Sequence, residues 1–201
     1  MARRATISRT TKETAIRVSV SLDGCGSVAA RTGLPFLDHM ISLVGVHAAF
    51  NLSVRARGDL DVDIHHTNED AGLVLGAAVS KALGDHKGIG RYGWAYVPME
   101  EALARVALDL SGRPKLVVRD HRTGRARLRG SGTAYQWLDF EHWLESFTRG
   151  AKLTVHVDLF AGDDFHHTCE AVCKALGRAL RQAVGRDASL RGVVPSSKGR
   201  L

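Results

Sequence analysis

The sequence predicts an α+β fold assembled by internal duplication, and three observations carry that prediction. His-His-x-x-Glu occurs twice, in "DIHHTNED" at 63–70 and in "DFHHTCEA" at 164–171. Each copy opens a helical pattern and is preceded by a helix bearing a further histidine, a β-alternating run and a Gly-Asp turn. The spacing is nearly constant: His39 to His142 is 103 residues, while His65 to His166 and Glu69 to Glu170 are each 101. A motif that recurs with its flanks at a fixed offset is the signature of a repeat. The expected units are two pseudo-repeats, 1–90 and 91–185, within one domain over 1–201, followed by a tail over 186–201.

Each element has its own signal. "TAIRVSVSLDG" puts Ile16, Val18, Val20 and Leu22 on one face and ends in Asp23-Gly24, as a half-buried strand entering a turn does. "PFLDHMISLVGVHAAF" spaces Phe36, Leu37, Met40, Ile41 and Val44 as a helix, with Pro35 suited to its first turn. "NLSVRA" reads as a short strand, Gly58-Asp59 as a turn, and "LDVDI" alternates again up to His65-His66. A helix opens there and runs to Leu83, closed by Gly84-Asp85. "WAYVPMEEALARVALDLSGRPKLVV" contains strands broken at Pro98 and at 111–114, and "HRTGRARLRGSGT" at 121–133 is a polar, glycine-rich connection. "YQWLDFEHWLESFTRG" is an amphipathic helix, "KLTVHVDLF" a strand, "AGDD" a turn and "HHTCEAVCKALGRALRQAV" the longest helix. The tail "DASLRGVVPSSKGRL" has no ordering periodicity.

Composition narrows the function. At 44% apolar residues the chain can bury an ordinary core, and no apolar run approaches the ~18 residues of a membrane span. The basic start, "MARRATISRTTKET", lacks the apolar centre of a secretory signal, so a cytoplasmic, membrane-free protein is expected. Three cysteines, Cys25, Cys169 and Cys173, give no disulfide framework. A net charge of +7 favours an anionic partner, either nucleic acid or a phosphorylated metabolite. Lys and Arg are scattered and aromatics are only 6%, which argues against a nucleic-acid platform.

The histidines point to metal. Glu69 shares a helical face with His65 and His66, but adjacent imidazoles diverge by about 100°. They therefore suit two ions, or one ion and a substrate contact. His39, His65, His66, His142, His166 and His167, with Glu69 and Glu170, divide into two sets of three His and one Glu. Nitrogen-rich ligation of that kind suits Mn, Fe, Zn or Ni rather than Mg or Ca. His47, eight residues after His39, can reach a site from the same helix, whereas His86 and His121 fall in loops and are expected in solvent. The residue pattern leaves burial of His156 open. Cys169 and Cys173 stand where the first unit has Asn68 and Gly72, so they read as packing residues. A dinuclear hydrolase and a basic, metal-stabilised nucleic-acid-binding shell are the rival readings of these features.

Seven ordered stretches, "RTTKET", "TGLPFLDHM", "GDLDVDIHHTNED", "GIGRYG", "DLSGRP", "FHHTCEAVCKALGRALR" and "PSSKG", together resemble the imidazoleglycerol-phosphate dehydratase family of histidine biosynthesis. The match runs from about residue 5 to 199 and resembles the single-function form of the family, in which no phosphatase domain is expected before it. It departs at "PMEEAL", with Glu100 where Asp is commoner, and at Cys173 where Phe is frequent. The resemblance implies two halves, each a four-stranded sheet with helices on one face, the helices packed between the sheets. It implies two Mn(II) per active site and a twenty-four-subunit shell whose sites are shared between subunits.

The implied reaction is dehydration of D-erythro-imidazole-glycerol phosphate to imidazole acetol phosphate and water, through a metal-bound imidazolate and a diazafulvene-like intermediate. By the same resemblance Glu13 is the first candidate acid/base, with Glu170, also a ligand, the second. Arg91, Arg113, Lys174, Ser196, Ser197 and Lys198 are the implied phosphate contacts, and His47 joins the substrate-binding set. A phosphate would then order the tail and close the site.

Overall fold

The computed structural model describes residues 3–122 and 134–200, so most of the connection read at 121–133 lies outside the described residues. The first half contains β1 (Arg4–Thr10), β2 (Thr14–Ser21), β3 (Val28–Arg31), α1 (Pro35–Ala48), β4 (Asn51–Gly58) and α2 (His65–Leu83). The second contains β5 (Tyr92–Met99), β6 (Ala102–Asp109), β7 (Lys115–Asp120), α3 (Trp137–Ala151), β8 (Thr154–Ala161) and α4 (Phe165–Val184). Their sheets have one topology, β1-β2-β4-β3 and β5-β6-β8-β7, each with one parallel pair, β3 with β4 and β7 with β8.

Two strands escaped the sequence reading. β1 is an edge strand whose sequence, RATISRT, buries no residue fully, and β3 has only four residues. The run 60–64 forms turns rather than a strand. Pro98 does not break β5, because β5 is an edge strand and a residue without an N–H is tolerated there.

Alternation places one face of each sheet inward: Ile16, Val18 and Val20 of β2, and Ala104, Val106 and Leu108 of β6, are buried. The helices cover these faces, α2 against β1 and β2, α4 against β5 and β6. They then pair across the halves, α1 on α4 and α2 on α3, giving sheet, helices, helices, sheet. Glycine makes this pairing close. A Cβ on Gly76 of α2 would lie 2.3 Å from the Phe147 carbonyl oxygen of α3, and one on Gly177 of α4 would lie 2.7 Å from that of Val44 on α1. The buried rings of Phe140, Trp143, Phe147 and Phe165 fill the remaining space between the layers.

Candidate metal centre and active site

The crossed helix pairing builds two similar clusters. On α4 the i,i+4 spacing brings His166 Nε2 to 3.0 Å from Glu170 Oε1, and α1 supplies His39, with Nε2 2.9 Å from the same oxygen. The other carboxylate oxygen accepts from Lys174 Nζ at 2.6 Å. Burial would raise the Glu170 pKa, but the donors Lys174, His39 and His166 outweigh it and hold the carboxyl down at about 2. The acid is thus ionised and aimed at two imidazoles whose donor atoms lie within 4.8 Å of one another.

The counterpart lies between α2 and α3. His65 Nε2 is 3.5 Å from Glu69 Oε2, and its ring centroid is 5.1 Å from that of His142. Arg149 donates to Glu69 Oε1 at 2.6 Å, and with Glu145 and Ser146 these residues line a cavity of about 190 Å³. In each case, a histidine from the first helix of one half meets the i,i+4 His–Glu pair of the other. Among the described residues of one chain, His39, His166 and Glu170 lie within ligating distance of one another, and His65, His142 and Glu69 surround a shared cavity.

His66 and His167 point elsewhere. His66 sits with Nδ1 3.0 Å from Asp59 and Nε2 3.9 Å from Glu13. His167 has Nδ1 2.8 Å from Glu101 and Nε2 4.0 Å from Glu100. The Asp59 hydrogen bond raises the His66 pKa, and the Glu101 hydrogen bond raises that of His167. Glu101 is itself lowered to about 2, chiefly by the Asp164 amide and then by His167. Its ring centroids keep His167 6.3 Å from His166, and His65 and His66 are 6.0 Å apart, the divergence that adjacent helical residues require.

The remaining predicted residues distribute around these clusters. His47 faces α4 from α1; burial lowers its pKa first, with Lys174 and Arg178 adding to the effect, which places it beside the Lys174–Glu170 pair. Arg91 forks onto Asp109 at 2.7 and 3.0 Å and donates to the Pro195 carbonyl at 2.7 Å, so three of its five N–H donors are engaged and it ties down the tail. The tail is also bonded to the 88–90 segment through Val193 and Asp187, and Lys198 donates its amide N–H to Ser196 Oγ. Arg113, Ser197 and Lys198 are exposed, and Ser196 is half-buried. Glu13 is exposed at the β1–β2 turn.

Sequence reasoning missed Asp59, Glu101, Arg149 and Asp109 as partners of site residues. His121 is exposed as expected, and it also bonds buried Asp158 at 2.7 Å and stacks on Phe160, while His156 lies half-buried beside Arg119. Cys169 and Cys173 are buried as expected, and burial raises both thiol pKa values well above normal.

Two imidazoles and the ionised Glu170 carboxylate, gathered at His39 and His166, fit a divalent transition metal. No helix among the described residues is long and apolar enough to cross a membrane. The family model for imidazoleglycerol-phosphate dehydratase matches residues 32–180. An imidazoleglycerol-phosphate dehydratase of Aromatoleum aromaticum is 49% identical over 99% of this chain and all of its own length. One from Alcanivorax borkumensis is 47% identical over 99% of this chain and 95% of its own. Among solved structures, the Pyrococcus furiosus enzyme in complex with (S)-C348 superposes at TM-score 0.80, with 30% identity over 97% of this chain and 100% of that one. The Staphylococcus aureus enzyme superposes at 0.77, with 34% identity over 91% of this chain and 99% of that one. With a His39–His166–Glu170 cluster bridging the halves of a duplicated frame, and with relatives aligned along nearly its whole length, this chain belongs to the imidazoleglycerol-phosphate dehydratase family.

Proposed function

We propose that this chain is a metal-dependent carbon–oxygen lyase that converts imidazole-glycerol phosphate to imidazole acetol phosphate and water in histidine biosynthesis. One observation carries the reading: the crossed helices gather two histidines and a glutamate twice from the two halves, His39, His166 and Glu170 within ligating distance of one another and His65, His142 and Glu69 around one cavity. We assign two Mn(II) ions per active site to His39, His65, His66, Glu69, His142, His166, His167 and Glu170. His66 and His167 turn away from the clusters of their own chain, which supports sites completed by a second copy, and the proposed assembly is a twenty-four-subunit shell. The pseudo-repeats proposed over 1–90 and 91–185 each supply half of the ligands.

The reaction removes a hydroxyl from the carbon beside the ring and a proton from the next carbon, giving an enol that becomes the ketone. No carbonyl stabilises that carbon, so the ring must carry the charge; bound divalent cations would supply this by favouring loss of the ring proton. Glu13, exposed and 3.9 Å from the His66 ring, moves the proton in this account, and Glu170 is the second candidate. Held in place by Lys174 and two imidazoles, Glu170 is less able to swing than Glu13. Arg91, Arg113, Lys174, His47, Ser196, Ser197 and Lys198 bind and orient the phosphorylated substrate, with the tail anchored through Arg91.

Glu13→Gln tests the assignment. It should leave Mn(II) uptake intact and cut turnover by about 10²–10⁴-fold. Turnover within a few-fold of the parent would remove Glu13 from the mechanism.

A further inference from the structure

Glu13 and Glu101 are structural counterparts. β1 and β5 begin 88 residues apart, as do β2 and β6, and each glutamate immediately precedes the second strand of its hairpin. Each carboxylate faces the outer histidine of its half, but they meet different ring nitrogens. Glu101 takes Nδ1 of His167 at 2.8 Å, whereas Glu13 faces Nε2 of His66 at 3.9 Å. The Nδ1 of His66 is taken instead by Asp59, at 3.0 Å, from the turn after β4. The corresponding turn after β8 carries Asp163 and Asp164, but Asp164 Oδ1 accepts from the His167 backbone amide at 3.0 Å as the cap of α4, and the partner recorded at His167 Nδ1 is Glu101. The second half therefore recruits its hairpin glutamate for the task that a turn aspartate performs in the first.

We propose that Asp59 and Glu101 are paired positioning residues, each fixing Nδ1–H of an outer histidine so that Nε2 presents its lone pair to a metal ion. An imidazole whose Nδ1–H donates to a carboxylate is held in one tautomer and one ring orientation, and its Nε2 becomes a better ligand. Glu101 is fixed further by the amides of Asp164 at 3.0 Å and Asp163 at 3.3 Å, at the start of α4, so it moves no proton. Glu13, relieved of ring-positioning by Asp59, stays available for chemistry. The duplication thus splits two equivalent glutamates into a fixed one and a mobile one.

The inference rests on His66 and His167 being metal ligands, and its test separates the two ideas. Mn(II) affinity is measured by paramagnetic resonance titration of the assembled protein for the parent, Glu101→Gln, Asp59→Asn and Glu13→Gln, alongside thermal unfolding of each metal-free protein. Glu101→Gln keeps an oxygen for the α4 amides but turns an N–H towards the ring. Glu101→Gln and Asp59→Asn should each weaken Mn(II) binding about 10- to 100-fold, with metal-free midpoints close to the parent, and Glu101→Asp should recover part of the loss. Glu13→Gln should bind within about twofold of the parent. Parent-like affinity in both Glu101→Gln and Asp59→Asn would overturn this inference alone. A parent protein that takes up no Mn(II) would overturn the ligand assignment and this inference together.

Discussion

Replacing Gly76 by alanine sets two effects of opposite sign against each other. Alanine is the better helix former by about 1 kcal/mol, and on an exposed helix the change would stabilise. Here the new Cβ would lie 2.3 Å from the Phe147 carbonyl oxygen and 2.5 Å from the Ala151 amide nitrogen. Both are backbone atoms of α3 and cannot rotate away. Restoring ordinary contact forces α2 and α3 apart by about 1 Å, and overpacking of that size costs about 3 kcal/mol, leaving a net loss of about 2. At roughly 2–4 °C per kcal/mol for a chain of this length, the metal-free midpoint should fall by about 4–8 °C. His65 and His142 ride on the separated helices, so their 5.1 Å ring spacing should widen and Mn(II) affinity should fall with stability. Calorimetry of the metal-free protein and a metal titration read both effects. A variant about 1 kcal/mol more stable, with unchanged metal affinity, would show that close helix approach does not set the ligand geometry.

Asp158 is buried between Arg105 and His121, and although burial raises its pKa, His121 and Arg105 together bring it below the ordinary value. Asp158→Asn should cost about 2 kcal/mol in urea unfolding at pH 7, less than a wholly buried pair because both partners reach water. A lowered carboxylate pKa contributes stability above the unfolded value near 4 and loses it as pH falls through the folded value, so the gap between variant and parent should close in acid. Arg91→Lys keeps the charge but loses the fork onto Asp109 and the bond to Pro195; tryptic cleavage in the tail should quicken about tenfold and KM should rise more than kcat falls.

The parts of the fold legible in the sequence were those with a strong local period. β2, α1, the middle strands, α3, β8 and α4 announce themselves through alternation or helical spacing, and the repeated His-His-x-x-Glu announces the duplication. β1 and β3 did not, because an edge strand with little buried surface needs no apolar alternation. The crossed pairing of α1 with α4 and α2 with α3 was hidden for another reason: glycines such as Gly76 and Gly177 mean close approach only once the opposing helix is known. Glu101 was hidden by arithmetic. The helices and histidines repeat at about 100 residues, but the first hairpins repeat at 88, since the connection from β7 to α3 is longer than that from β3 to α1. A search at one offset sets Glu13 beside the wrong partner. Asp59 was visible only as a turn residue, because nothing local signals that its carboxylate meets an imidazole seven residues on.

Metal at the crossed clusters is central to the proposed dehydration. Its most direct test is to strip the protein with chelator, supply imidazole-glycerol phosphate, and follow imidazole acetol phosphate before and after restoring Mn(II). The stripped protein should give no product, and recovery should saturate at two Mn(II) per active site. Undiminished product formation with every ion removed would contradict that role for metal.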